Sequence, residues 1–379
     1  METTLEMLAE ETAANGGDAQ RRDALAERLF ASLLGGMELL SVDVGRRLGL
    51  YAALRERDGV TAAELAVRAG VAQRYAREWL EQQAVAGIVD VDDPDLPAAQ
   101  RRYRLPEGHA AVLVDADSPA YLQGAPPSLI GLARTLGAVV DAYRTGDGVR
   151  YADFGADIRH GIGAFNRPMF VNELPTWLRA LPDVHDRLTR GGRVLDVGCG
   201  TAWSSIALAQ HFPRVTVHAI DLDEASIEEA RVNAREAGVA DRITFEVLDA
   251  AEFEAGRFEP AERFELACVF EALHDMGSPV EALARIRAAL APHGAVLVGA
   301  ERVADAFVAP GDEIERFMYA WSVLHCLPAT GAESPDVANG TVLRQQTVHT
   351  WAREAGFGRI ATLPLDNDFW RFYRFDEGR

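Results

Sequence analysis

The run RVLDVGCGTAW, Arg193 to Trp203, sets Gly198 and Gly200 between an apolar stretch and a helix-forming one. Glycines there let the backbone turn tightly and come close to a ligand. The dinucleotide fingerprint GxGxxG is not met, because Trp203 stands where its last glycine belongs. Asp196 precedes the glycines. A carboxylate at that point repels a pyrophosphate and suits a cationic group such as an amino-acid ammonium. Asp221, in HAIDLD, ends the next apolar stretch and is placed to accept from both ribose hydroxyls. Asp249, in ITFEVLDA, is placed to accept from an adenine amino group. Each acid alone would pass for a strand-end cap. Three in order, with the glycine turn, mark the crevice where open α/β sheets bind ligands.

These residues need a scaffold, and the pattern around them supplies one. Strands are predicted at 194–197, 216–221, 243–247, 266–270, 295–300, 360–365 and 369–375. Helices are predicted between most of them, at 202–210, 224–237, 280–290 and 347–354. Such alternation builds an α/β domain with a mostly parallel seven-stranded sheet. Only Asp366 to Asp368 separate the last two strands, too few for a crossover, so the last strand is expected antiparallel.

Two further regions precede this domain. Residues 1–115 read as mainly helical, with helical spacing at Leu25, Leu29, Leu33 and Leu34 and a second helix from Met37 to Leu48. Thr61 and Glu64 form a capping box, Gly70 makes a turn, and a helix runs from Gln73 to Ala86. Strands at 88–91 and 102–105 complete a winged helix. Residues 116–188 read as a helical connector with helices at 127–144 and 167–181 and turns near Gly146 and Gly161. It carries an aromatic cluster of Tyr151, Phe154, Phe165, Phe170 and Trp177, either core or pocket wall. Phe165, just before the run NRPMF, and Met169 within it are candidate pocket residues. The insertion 303–342 contains EIERFMYAWSVLHCLP, a helix with an aromatic stripe. It resembles a lid, with Met318, Trp321, Ser322 and His325 as pocket candidates. The neighbouring His325 and Cys326 do not by themselves make a metal site, and none is expected.

Composition excludes several chemistries. All 38 basic side chains are arginine. Without lysine there is no Schiff base and no P-loop. The formal charge of −20 argues against a general nucleic-acid or anionic-membrane binder. Residues 1–104 hold 13 Arg against 18 Asp and Glu, so the winged helix lacks a clustered basic face. A homodimer through this module is expected instead of a DNA contact. No apolar run is long enough to span a membrane, and the first twenty residues lack an export pattern. Cys199, Cys268 and Cys326 are far apart and odd in number, which suits a reducing cytoplasm.

With Asp196, Gly198 and Gly200 in place, residues 193–298 resemble the core of Rossmann-like class I S-adenosyl-L-methionine-dependent methyltransferases. Ala202 stands where a third glycine is common. The resemblance implies that Asp196 and the turn Gly198, Cys199 and Gly200 face the methionine part. It implies that Asp221 holds the ribose, and that Leu222, Asp249, Ala250 and Phe270 border the rest of the cofactor. With the winged helix and the connector, the chain also resembles small-molecule O-methyltransferases of plants and actinomycetes. NRPMF, SVLHCLP and DFWRFYRF carry its likeness to actinobacterial winged-helix methyltransferases. The resemblance implies that neutral His274 takes a proton from an acceptor hydroxyl and that Glu301 steadies the resulting imidazolium. Glu271 is an alternative carboxylate in the same loop. A plainer role for the His274–Asp275 pair is capping the next helix. Nitrogen or carbon acceptors, or a regulator sensing the cofactor, are the rival readings.

Overall fold

The computed structural model describes residues 2–57, 59–259 and 262–378, with residues 2–16 described by backbone alone. Met1, where the stretch lacking an export pattern begins, lies outside them. Two units result, Met1–Val114 and Asp115–Arg379.

The first unit opens with one continuous helix, Glu2–Arg47, where two helices are predicted. Gly35 and Gly36 meet nothing and keep a negative φ, so the backbone passes through without a turn. Thr61 caps the helix Ala62–Ala69: its hydroxyl accepts the Glu64 N–H at 3.3 Å, and Glu64 accepts the Thr61 N–H at 2.8 Å. Gly70, at φ 65°, ends that helix, and Gln73–Val85 follows. Strands β1 (Asp90–Val91) and β2 (Tyr103–Arg104) pair antiparallel as a short wing. Leu54, Leu65, Leu80 and Tyr103 pack in its core.

The second unit is built on β3 (Gly192–Val197), β4 (Val215–Asp221), β5 (Ile243–Val247), β6 (Phe264–Phe270), β7 (Leu290–Glu301), β8 (Arg359–Thr362) and β9 (Trp370–Asp376). Their order is β5-β4-β3-β6-β7-β9-β8. The first five are parallel, and β9 lies antiparallel between β7 and β8. Alternate residues serve opposite cores: Val194 and Leu266 pack on one face, Leu195 and Ala267 on the other. Each fully buried aliphatic side chain contributes about 1.5–3 kcal/mol, which is why the strands read as near-continuous apolar runs. The chain runs from β3 outward to β5, then crosses to β6 on the other side of β3. That reversal opens a crevice at the carboxyl ends of β3 and β6.

The connector packs within this unit as helices Ala125–Thr145 and Tyr151–Asn172, followed by Leu174–Arg179. The turn predicted at Gly161 is not there. Gly161 lies inside the second helix, where a Cβ would stand 2.2 Å from Ser128 Oγ, so glycine serves close helix approach. The kink falls at Gly155, at φ 76°. The predicted lid helix is also broken. Glu313–Trp321 is α-helical, Ser322–Cys326 is one π turn, and Leu327–Glu333 is α-helical again. No described helix is long and apolar enough to cross a membrane.

Candidate functional site

A cavity of about 490 Å³ opens at the carboxyl ends of β3 to β7. The glycine turn, the acid ends of β4 and β5, the loop after β6, the connector and the insertion all line it.

The glycine side is fixed by backbone bonds. Gly198 and Cys199 donate N–H groups to Ile220 O at 2.9 and 3.1 Å, which ties the turn to β4. Gly198 holds φ 68°, and a Cβ there would stand 2.4 Å from the Cβ of Ala272. Asp221 accepts from Gly200 N at 2.7 Å through Oδ2 and from Asp223 N at 2.9 Å through Oδ1. Burial pushes its carboxyl up to about 6, against the pull of those two bonds, and nearby Asp223 and Asp275 add to the rise. Leu222 stands half exposed at the rim. Asp249 accepts the Ala251 N–H at 2.8 Å, and Ala250, Cys199 and Phe270 line the cavity with it.

Asp196 departs from its expected place. It is 1 % exposed and outside the cavity wall. Its Oδ2 accepts the hydroxyls of Ser204 and Ser205, both at 2.6 Å. The carboxylate therefore straps β3 to the first turn of the helix Trp203–His211. Burial raises its pKa, against the two serine bonds. Ala202 precedes that helix at φ 70°, a left-handed conformation that costs a non-glycine residue about 1–2 kcal/mol. The missing third glycine is thus a strained alanine.

The facing side carries the titratable cluster. His274 and Glu301 are 3 and 4 % exposed. His274 Nδ1 lies 3.0 Å from Glu301 Oε2, and Nε2 lies 3.1 Å from Asp275 Oδ1. These are ion-pair distances, and neither contact is aligned as a hydrogen bond. Burial lowers the basicity of His274, but Asp275 and Glu301, helped by Cys326, outweigh it and hold its pKa well above the ordinary value. Two carboxylates flank the ring and stabilise its protonated form, which raises its affinity for a proton. Glu271 is not a free base. Its Oε1 accepts from Trp370 Nε1 at 2.9 Å and its Oε2 from Asn166 Nδ2. Burial and Glu301 push its carboxyl up to about 7. It also holds φ 49°, a strained value for glutamate at a cavity wall.

Aromatic rings close the space above. Phe165 packs edge-on to Phe369 at 5.6 Å and stacks with Phe317 at 6.2 Å. His325 packs among Phe154, Tyr151 and Trp321, at centroid distances of 4.4, 5.6 and 5.8 Å. Burial lowers its pKa to about 4. Phe165, Met318, Trp321 and His325 line the cavity as expected. Met169 and Ser322 do not. Met169 packs against the sheet core, with Sδ 3.9 Å from Asn367 Nδ2. Ser322 starts the π turn and faces the Gly340 bend, where a Cβ would stand 2.4 Å from its Oγ. Of the aromatic cluster, Tyr151, Phe165 and Phe170 reach the cavity, while Phe154 and Trp177 are core. Asn166, Phe317, Phe369 and Cys326 are wall residues that the sequence did not offer as pocket candidates. Asn166 sits inside NRPMF and Phe369 inside DFWRFYRF, so the runs carried the signal without the positions.

Residues 188–356 match the family described as "Methyltransferase domain", and residues 35–115 match the "Rv2258c-like winged HTH domain". The chain is 32% identical over 112 residues to a 27-O-demethylrifamycin SV methyltransferase of Amycolatopsis mediterranei, covering 30% of this chain and 39% of that one. Matches to curated relatives span 24 to 50% of those relatives' lengths. Two solved structures share the architecture from end to end. The mitomycin 7-O-methyltransferase is 18% identical at a TM-score of 0.62, with 94% of this chain and 99% of that one covered. The human N-acetylserotonin methyltransferase, solved with S-adenosylmethionine, is 18% identical at 0.61, with 93% and 98% covered. These likenesses are of fold.

Proposed function

We propose that this protein transfers a methyl group from S-adenosyl-L-methionine to a hydroxyl oxygen of a small aromatic or polyketide-like molecule. The observation that carries this reading is one cavity with two unlike walls. One has the glycine turn with Asp221 and Asp249, and the other has His274 with Glu301 among aromatic rings. The donor set on the first wall fits the cofactor. Asp221 offers carboxylate oxygens to ribose hydroxyls, Asp249 and Ala250 border adenine, Leu222 covers its face, and the Gly198–Gly200 backbone takes the methionine part. When bound, the cofactor supplies a methyl group on a positive sulfur, open to in-line attack.

The chain's own residues orient the acceptor and receive its proton. Phe165, Phe317 and Phe369 stack against a flat acceptor and exclude water. The acceptor hydroxyl enters beside His274 Nε2, where Asp275, 38% exposed, gives way. Nε2 takes the proton, and Glu301 at Nδ1 stabilises the imidazolium. Holding the partners in line supplies most of the acceleration. Relatives named for methylating a rifamycin and N-acetylserotonin support a small-molecule acceptor. Calorimetric titration with S-adenosylmethionine and its demethylated product tests the cofactor claim. Micromolar binding of one or both is expected, and binding of neither sinks it.

A homodimer through the first unit belongs to the same reading. Leu29, Phe30, Leu33 and Met37 are 59 to 69% exposed along one helix, an apolar stripe suited to a second copy. On the helix Gln73–Val85, Arg74 pairs with Glu78, and Arg101 reaches Glu81 at 2.9 Å. That pairing supports a protein partner over DNA. Sedimentation of Leu33→Asp should show monomer where the native chain shows dimer; an unchanged dimer removes this face from the interface. Free, buried cysteines at 199, 268 and 326 support a cytoplasmic setting.

A further inference from the structure

On the facing wall, His274 Nδ1 and Nε2, Asp275 Oδ1, Glu301 Oε2 and His325 Nε2 are buried without an aligned hydrogen-bond partner. Buried polar groups are rarely left so, and a cluster of them marks the place of a water or an ion. One ligand-type atom each from His274, Asp275 and Cys326 lies within 4.8 Å of the other two. The first two residues come from the loop after β6, and Cys326 comes from the end of the π turn. Two separate segments therefore converge an imidazole, a carboxylate and a thiol on one point of the cavity wall.

We propose that His274, Asp275 and Cys326 bind one divalent ion of the zinc class, with the fourth coordination position open to the cavity. The donor set selects the ion. Imidazole and thiolate suit zinc and cobalt, whereas magnesium and calcium take oxygen ligands. Three protein ligands with one open position is the pattern of reactive zinc sites. Nε2 of His274 is the ligating nitrogen, because it faces Asp275 at 3.1 Å. Nδ1 then lies 3.0 Å from Glu301, close enough for it to serve as the outer carboxylate of a ligating histidine. Bonds of about 2.0–2.3 Å require the three atoms to draw together by about an ångström, which rotation of the part-exposed Asp275 allows. Ion and acceptor proton compete for the same nitrogen, so the metal-bound protein does not use His274 as a base. The site stands without the methyl-transfer reading, since binding needs neither cofactor nor acceptor.

The test is a titration of chelator-treated, full-length protein with Co²⁺ and no cofactor. One equivalent should bind, with the ultraviolet charge-transfer band of a cobalt–thiolate bond and the intense visible bands of tetrahedral cobalt. Zn²⁺ should displace it. Cys326→Ser should lose the thiolate band, and His274→Ala and Asp275→Asn should each weaken binding by about tenfold or more. Cys268→Ala, buried in β6 away from the cavity, should keep the band. Circular dichroism separates a lost site from a lost fold, and Asp275→Asn probes the same site if Cys326→Ser unfolds. Absence of stoichiometric binding, binding without a thiolate band, or a band that survives Cys326→Ser overturns the site. Titration of the same preparation with the demethylated cofactor reads the methyl-transfer proposal separately.

Discussion

On the glycine side of the cavity, Asp221 is gripped by backbone N–H groups of Gly200 and Asp223. On the facing side, His274 is flanked by two side chains, Asp275 and Glu301, and by a helix with a π turn. The first wall is built from strand ends, whose spacing the sheet dictates. The second is assembled from a connector, a loop and an insertion far apart in the chain. A backbone-made wall suits a ligand that never changes. A side-chain-made wall can be retuned for a different acceptor without disturbing the sheet.

The hardest blow to this contrast falls on the second wall. His274→Ala should lower turnover by about 10²–10⁴-fold, measured by steady-state methyl transfer, while affinity for the demethylated cofactor stays within a few-fold. Equal losses in turnover and cofactor affinity would mean that the two walls are not separate. Asp221→Ala should do the reverse at the first step. It should weaken calorimetric binding of the cofactor product by roughly 10–100-fold, the worth of hydrogen bonds to a charged group. The same residue predicts a pH dependence. In the proposed complex ribose hydroxyls donate to the ionised carboxylate, whose pKa is raised to about 6 in the free protein. Binding should therefore be full above that value and fall by about tenfold per pH unit below it. A flat profile from pH 7 to 5 would assign the ribose to another group. The smallest effect is expected at Ala202. Ala202→Gly removes a left-handed alanine and should raise stability by about 1 kcal/mol in denaturant unfolding, less the entropy that glycine adds to the unfolded chain.

How much the sequence disclosed follows the same division. Asp221, Asp249 and the glycine turn were legible because strand ends in a parallel sheet fall at one edge, so order along the chain becomes order in space. Asp196 shows the limit of that logic. It lies on the strand that leads into the glycine turn, but neighbouring Ser204 and Ser205 hydroxyls hold its carboxylate off the cavity wall. On the other wall, Ser322 was grouped with its helix neighbours as a pocket residue, but its hydroxyl faces the Gly340 bend. Met169 lies on the same helix as Phe165, about one turn further on, where the side chain packs on the sheet core. Trp370 and Asn166 hold Glu271 from positions 99 and 105 residues away, a pairing that no local pattern contains.

The place of β9 has a consequence for how this protein is made. Trp370–Asp376 is not an edge strand but lies between β7 and β8, and its Trp370 also fastens Glu271. During synthesis the first unit has every residue it needs once position 114 has emerged. The sheet stays open along β7 until position 376 is out of the ribosome. Throughout that interval a long apolar strand, with most of its residues destined for burial, has an unpaired flank. Nascent chains stalled in this window are therefore the ones that should depend most on chaperones and be most prone to wrong pairing.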